Sequence, residues 1–259
     1  VSGGDGFFVG WRGPDRSQSR FLALVAAAVV AGAGLLGFAV AGGMGDASAG
    51  LYRLASVAGA AEAPPPEPWD FGATLRGRVT DRPYGLLHLP ADAAHPHGRT
   101  VLLSGAGKTG APVRAGEATV ELSGGLLRRG TIEMLALFAD PAPTEDAALP
   151  VPAPVPLGRW RAAGEICDGK CAAGAMRPGT GLSHRACANL CLSGGVPPVF
   201  AAAAPVAGSL FLLLADADGG PLPDGLFDLV ALPVELEGDV ERIGSLLVFK
   251  VDLAAARRL

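Results

Sequence analysis

The run from Phe21 to Met44, FLALVAAAVVAGAGLLGFAVAGGM, carries no charged residue along its whole length. As a helix rising 1.5 Å per residue it reaches roughly 36 Å, enough to cross the hydrocarbon core of a bilayer with some tilt. Arg12, Arg16 and Arg20 precede the run, whereas Asp46 and a single Arg53 follow it. The positive-inside rule therefore predicts a cytoplasmic segment at 1–20, a transmembrane helix at 21–44, and export of everything beyond. The competing reading is a cleaved signal peptide, because Ala47-Ser48-Ala49 has the small-residue pattern of a cleavage site. An apolar run of this length exceeds the usual signal core of about 7–15 residues, which favours an uncleaved anchor. Both readings export the bulk of the chain. A hydrophobic content of 49% agrees with a part that lies in lipid. Ala33, Gly37 and Ala41 stand four apart, a stripe along which the helix of another membrane protein could approach.

Residues 45–70 read as a Pro-rich spacer, since AEAPPPEPW at 61–69 favours an extended polyproline conformation. The texture then changes to short β-like segments. These are Thr74–Thr80, Tyr84–Leu89, Thr100–Ser104, Ala118–Leu127 and Thr131–Phe138, bounded by Pro, Gly and Asp. Five short strands in a unit spanning 71–140 predict a small barrel of OB type. A second Pro-rich stretch, 141–156, leads into residues 157–259, where parts of the first unit return. Gly77-Arg78-Val79-Thr80-Asp81 is echoed by Gly164-Glu165-Ile166-Cys167-Asp168, and Val120-Glu121-Leu122-Ser123-Gly124 by Val234-Glu235-Leu236-Glu237-Gly238. The second echo precedes another apolar strand, Ser245–Val251.

From Gly77 to Gly164 is 87 positions and from Val120 to Val234 is 114, so the second unit is longer by the difference of 27. The expected fold is thus mainly β: one N-terminal transmembrane helix, then two tandem OB-like barrels. The second carries a Cys-rich loop and helix, 167–198, between its first two strands. An immunoglobulin-like sandwich would want more strands per unit. The net charge of −4 leaves no basic footprint for a nucleic acid, although barrels of this type often bind one.

All four cysteines lie in the insert. Ser183 can cap a short helix over His184–Leu192 that ends at Gly194 and Gly195. On that helix His184, Cys187 and Cys191 share one face, and Cys171 could fold back to it across a Gly- and Pro-containing loop. The four make a candidate Cys3His set for zinc or another thiophilic metal, with Cys167 on the preceding strand. Outside the cytoplasm four neighbouring cysteines could equally form two disulfides, in any of three connectivities, or remain exchangeable thiols.

The residues Gly164-Glu165-Ile166, Asp168, Lys170-Cys171, Met176, Pro178-Gly179, His184-Arg185-Ala186-Cys187-Ala188, Cys191, Gly194-Gly195 and Pro197-Pro198 together resemble an element of uncharacterised bacterial membrane-anchored exported proteins. Its pattern is G-E-[IV]-x-D-x-K-C, then H-R-x-C-A-x-x-C, then G-G-[IV]-P-P. The resemblance covers about 35 residues. It implies a shared module with no assigned reaction, a bacterial inner-membrane location with the bulk periplasmic or extracellular, and a common set of Cys171, His184, Cys187 and Cys191. Cys167 stands where that family usually has an aliphatic residue.

Other motifs carry less. Gly105-Ala106-Gly107-Lys108-Thr109 contains the GKT of a phosphate-binding loop, but Leu102 occupies the place of the required first glycine, so a strand-end turn is expected. Asp216-Ala217-Asp218-Gly219-Gly220 lacks the later acidic position of a calcium loop and reads as a hairpin turn after a strand at Ser209–Leu214. His95 and His97 flank a proline and read as solvated. There is neither a C-x-x-C nor a recognisable Ser/His/Asp or paired-carboxylate context, so no catalytic residue is assigned. The sequence points to an exported interaction module, an accessory subunit or assembly factor of a membrane complex. A metal-binding or thiol-redox protein is the alternative.

Overall fold

The computed structural model describes residues 15–43, 59–177 and 179–259. Helix α1 spans Arg16–Gly43. Asp15 caps it, its Oδ1 accepting the amides of Ser17 and Gln18 at 2.9 Å each. The side chains described along α1 are exposed, and over Arg16–Ala39 mean hydropathy reaches 2.4. A helix this long and apolar could serve as a membrane anchor or as a signal sequence. Arg12, Met44, Asp46, the Ala47–Ala49 motif and Arg53 lie outside the described residues, as does the side chain of Ala41.

Beyond Gly59 the chain forms two five-stranded barrels of identical topology. In the first, β1 (Asp70–Thr80), β2 (Leu86–Leu89), β3 (Arg99–Ser104), β4 (Thr119–Arg129) and β5 (Ile132–Leu137) close in the order 1-2-3-5-4-1. A two-residue strand, β6 (Ala142–Pro143), pairs with β4. In the second, β7 (Val155–Asp168), β8 (Pro198–Val206), β9 (Ser209–Asp216), β10 (Pro233–Ile243) and β11 (Leu246–Val251) close the same way, and β12 (Arg257–Arg258) pairs with β10. All pairings in these rings are antiparallel except β3 with β5 and β9 with β11. This mixed order is the OB-like arrangement.

The repeated peptides occupy equivalent places down to the register. Gly77 stands opposite Val120, and Gly164 opposite Val234. A Cβ on Gly77 would come 2.4 Å from the His88 carbonyl oxygen, and one on Gly164 2.4 Å from that of Ala201. Each copy curls its first strand so tightly over its second that only a hydrogen fits, and the sequence repeats a glycine there.

Each barrel has its own interior, the first holding Val79, Leu87, Val101, Leu103, Leu122 and Leu135, the second Ile166, Phe200, Leu212, Leu214, Val234 and Phe249. A third core lies between the barrels. Leu86, Leu102 and Met134 of the first meet Val199, Leu213 and Val248 of the second there, from the second, third and fifth strands of each copy, joined by Leu127 of β4 and Cys167 of β7. The alternation is therefore complete, but both faces are apolar: on β3, Val101 and Leu103 point inward while Leu102 points to the other barrel. That is why TVLLS and SLFLLLAD read as nearly unbroken apolar runs. The first proline-rich stretch, where it is described, docks on the barrels. Ala61 donates its amide to the Ala203 carbonyl at 2.7 Å and Glu67 to that of Arg128 at 2.9 Å, so residues 61–67 bind both barrels. The turn at 216–220 is closed by Asp216, whose Oδ1 accepts from the Asp218 and Gly220 amides. It does not lead into a hairpin, because β9 pairs with β8 and β11 and its successor β10 lies elsewhere in the ring.

The chain takes residues 81–85 to pass from β1 to β2 but 169–197 to pass from β7 to β8. This enlarged connection forms a helical turn at Cys171–Ala175, a tighter turn at Leu182–His184 and helix α2 (Arg185–Ser193).

Candidate metal centre

The site begins at Asp168, the last residue of β7, which is fully buried. Its Oδ1 accepts the Cys171 amide at 2.9 Å, starting the turn that carries Cys171, and its Oδ2 lies 3.0 Å from His184 Nε2. One carboxylate thus anchors both the loop and the entrance to α2. Ser183 does not cap that helix: it lies within the tight turn, and no side chain caps the first turn of α2. His184 ends the tight turn and directs its Nε2 to Asp168.

Cys171, Cys187 and Cys191 converge, their sulfurs lying within 4.8 Å of one another. Asp168, Cys171 and His184 form a second group at the same closeness, sharing Cys171 with the first. Either cluster could hold a metal ion. Three of the four expected ligands thus meet, and His184 belongs to the adjoining group with its Nδ1 buried and without a hydrogen-bond partner among the described residues. None of the four cysteines is in a disulfide. The alternative of two disulfides is not seen: Cys167 has its Sγ 3.5 Å from the Val199 carbonyl in the core between the barrels and is not among the three sulfurs that converge. Burial, reinforced by Glu165 and Asp168, pushes the Cys167 thiol well above the ordinary range.

A residue that sequence reasoning passed over completes the cluster. Lys108, at the tip of the turn following β3, places its Nζ 2.7 Å from Cys187 Sγ and 3.9 Å from Cys191 Sγ. The expected strand-end turn is present, and it serves as an arm from the first barrel into the second. Lys170 Nζ donates to the Gly105 and Gly107 carbonyls at 2.9 and 2.8 Å, and the Gly110 amide donates to the Gly194 carbonyl at 2.7 Å. A Cβ on Gly194 would fall 1.9 Å from the Lys108 carbonyl oxygen, so this contact requires glycine. No signal in the sequence links positions 79 apart, although a lysine held in a glycine turn was the feature to question.

The charges are coupled. A hydrogen bond from Cys171, with help from Lys108, holds the Cys191 thiol below its usual range; the same bond, burial and Asp168 push Cys171 up. The hydrogen bond to Cys187 raises Lys108, while burial lowers Lys170.

The sulfurs open onto a cleft of about 410 Å³ walled by Trp69, Ala136, Leu137, Phe138 and Met176. His95 sits apart, 3.1 Å from Asp92 on the first barrel's surface, and neither it nor His97 joins a metal-binding group among the described residues. A scan against models of known families, a search of curated proteins and a search of solved structures each return no match to this chain.

Proposed function

We propose that this is a membrane-anchored exported protein whose paired barrels present a thiophilic-metal site, serving as an accessory subunit or assembly factor of a membrane complex. One observation carries the reading: three cysteine sulfurs, drawn from a loop and a helix, converge at the floor of an apolar cleft beside a lysine from the other barrel. Soft thiolates in a water-poor pocket suit zinc, copper or a similar ion and suit few other ligands. The residues that carry the resemblance to bacterial exported proteins gather at this place. Cys171, Met176, Cys187 and Cys191 line the cleft, and Asp168 and His184 brace it from behind.

The anchor reading places 1–20 in the cytoplasm and the barrels outside the inner membrane, where a cluster of this kind would need a loaded metal to stay reduced. The apolar cleft and the spacing of small residues on α1 support contact with another membrane protein. The test is metal analysis with thiol counting on the full chain, taken from its native compartment in mild detergent. About one equivalent of metal, lost together with the thiolate absorption in Cys187→Ser, supports the reading; a metal-free chain with oxidised cysteines overturns it.

A further inference from the structure

We infer that the ion held here is monovalent copper, Cu(I), bound by the thiolates of Cys171, Cys187 and Cys191 and by no fourth protein ligand. This rests on the metal reading above and narrows it. Donor count is the first ground. Among the described residues three cysteine sulfurs lie within 4.8 Å of one another, and His184, expected as the fourth ligand, groups instead with Cys171 and Asp168, its Nε2 at the Asp168 carboxylate. A structural zinc site almost always has four protein ligands, so with this set zinc would need a water to complete its shell. Cu(I) has a filled d shell and a single charge, takes two or three ligands readily, and is selected by thiolate and thioether sulfur.

Charge is the second ground. The remaining corner of the cluster is taken by a cation, the Lys108 ammonium against Cys187. Repulsion between that ammonium and an incoming ion is half as large for a monocation as for a dication at the same distance. Three thiolates around Cu(I) carry two net negative charges, and buried charge must be paired. Lys108, at the tip of the turn, and Lys170, which donates to that turn's carbonyls, supply one positive charge each. The Asp168 carboxylate is engaged by His184 and the Cys171 amide.

The lining is the third. Trp69, Leu137 and Phe138 wall the cleft beside the two lysines, no carboxylate or imidazole among the described residues lines it, and the Met176 thioether adds a further sulfur there. Met176, exposed in the lining of the cleft, offers a soft sulfur through which a copper ion could exchange between sulfur ligands.

The test uses the full chain in mild detergent, reduced without oxygen and titrated with Cu(I) against bicinchoninate, and in parallel with Zn(II) against a chromophoric zinc chelator. X-ray absorption then counts the donors. One Cu(I) per chain, three sulfurs in its shell, and tighter retention of Cu(I) than of Zn(II) are expected. Cys187→Ser, at a partly buried position, should weaken Cu(I) and reduce its shell to two sulfurs while its unfolding curve stays that of the parent chain. Lys108→Gln should weaken Cu(I) by about 10–100-fold, and Cys167→Ser should leave it unchanged. Tighter binding of Zn(II), or a nitrogen donor that disappears in His184→Gln, overturns the copper inference and leaves a metal site standing. Failure to take either ion overturns the metal reading itself.

Discussion

Two adjacent leucines on β3 separate the core between the barrels from the core within one. Leu102 and Leu103 are both fully buried, but Leu103 belongs to the interior of the first barrel and Leu102 to the layer it shares with the second. Truncating a buried leucine to alanine costs the lost transfer energy plus the cavity left behind, ~2–5 kcal/mol. For a structure of this size, ~3 kcal/mol corresponds to a fall in Tm of about 6–12 °C. Leu102→Ala and Leu103→Ala should therefore be destabilised alike. Had the barrels been independent units on a spacer, Leu102 would sit on an outer face and its truncation would stay within about 0.5 kcal/mol. Urea unfolding in mild detergent, followed by tryptophan fluorescence and far-ultraviolet circular dichroism, measures the difference. Trp69 packs against the shared layer and Trp160 against the second barrel's interior, so both barrels report, and one coincident transition is expected. A Leu102→Ala chain as stable as its parent, beside a Leu103→Ala chain that loses several kcal/mol, would refute the argument.

Other outcomes follow from single contacts. His88 is buried between Thr80 Oγ1 at 2.9 Å and Thr100 Oγ1 at 3.1 Å, and burial, aided by Arg78, lowers its pKa from 6.5 to about 4. The unfolded chain then binds the proton more readily, so this stabilisation is complete above pH 6.5 and drains away as pH falls towards 4. About 2–3 kcal/mol should vanish between pH 7 and 4.5, and urea midpoints of His88→Gln should lack that dependence. Gly194→Ala forces a methyl into the Lys108 carbonyl, lifting the 105–110 turn; expect a cost of ~1–3 kcal/mol and faster alkylation of Cys187 as the ammonium withdraws. Timed alkylation of the reduced parent chain, read by peptide mass, should label half-exposed Cys187 first and Cys167 only on unfolding.

The sequence by itself determined whatever neighbouring residues decide. An uncharged run longer than a signal core makes α1, glycine-bounded β segments make the strands, and the two echoes reveal a duplicated barrel because Gly77 and Gly164 each meet the same close backbone approach. It also located the insert and the sulfurs of Cys171, Cys187 and Cys191, since their loop and helix lie within one short stretch. The two-residue strands β6 and β12 were missed, being set by a partner strand rather than by their own residues. Only the tertiary structure decided that the barrels share a core, that Cys167 turns away from the other thiols, that Asp168 draws His184 to itself, and that Lys108 comes from the first barrel to the cysteines of the second. Each of these depends on which surfaces meet after both barrels have closed. A one-dimensional pattern records a residue's own preference for helix, strand or turn, whereas the neighbour that fixes its charge and its role arrives from tens of residues away.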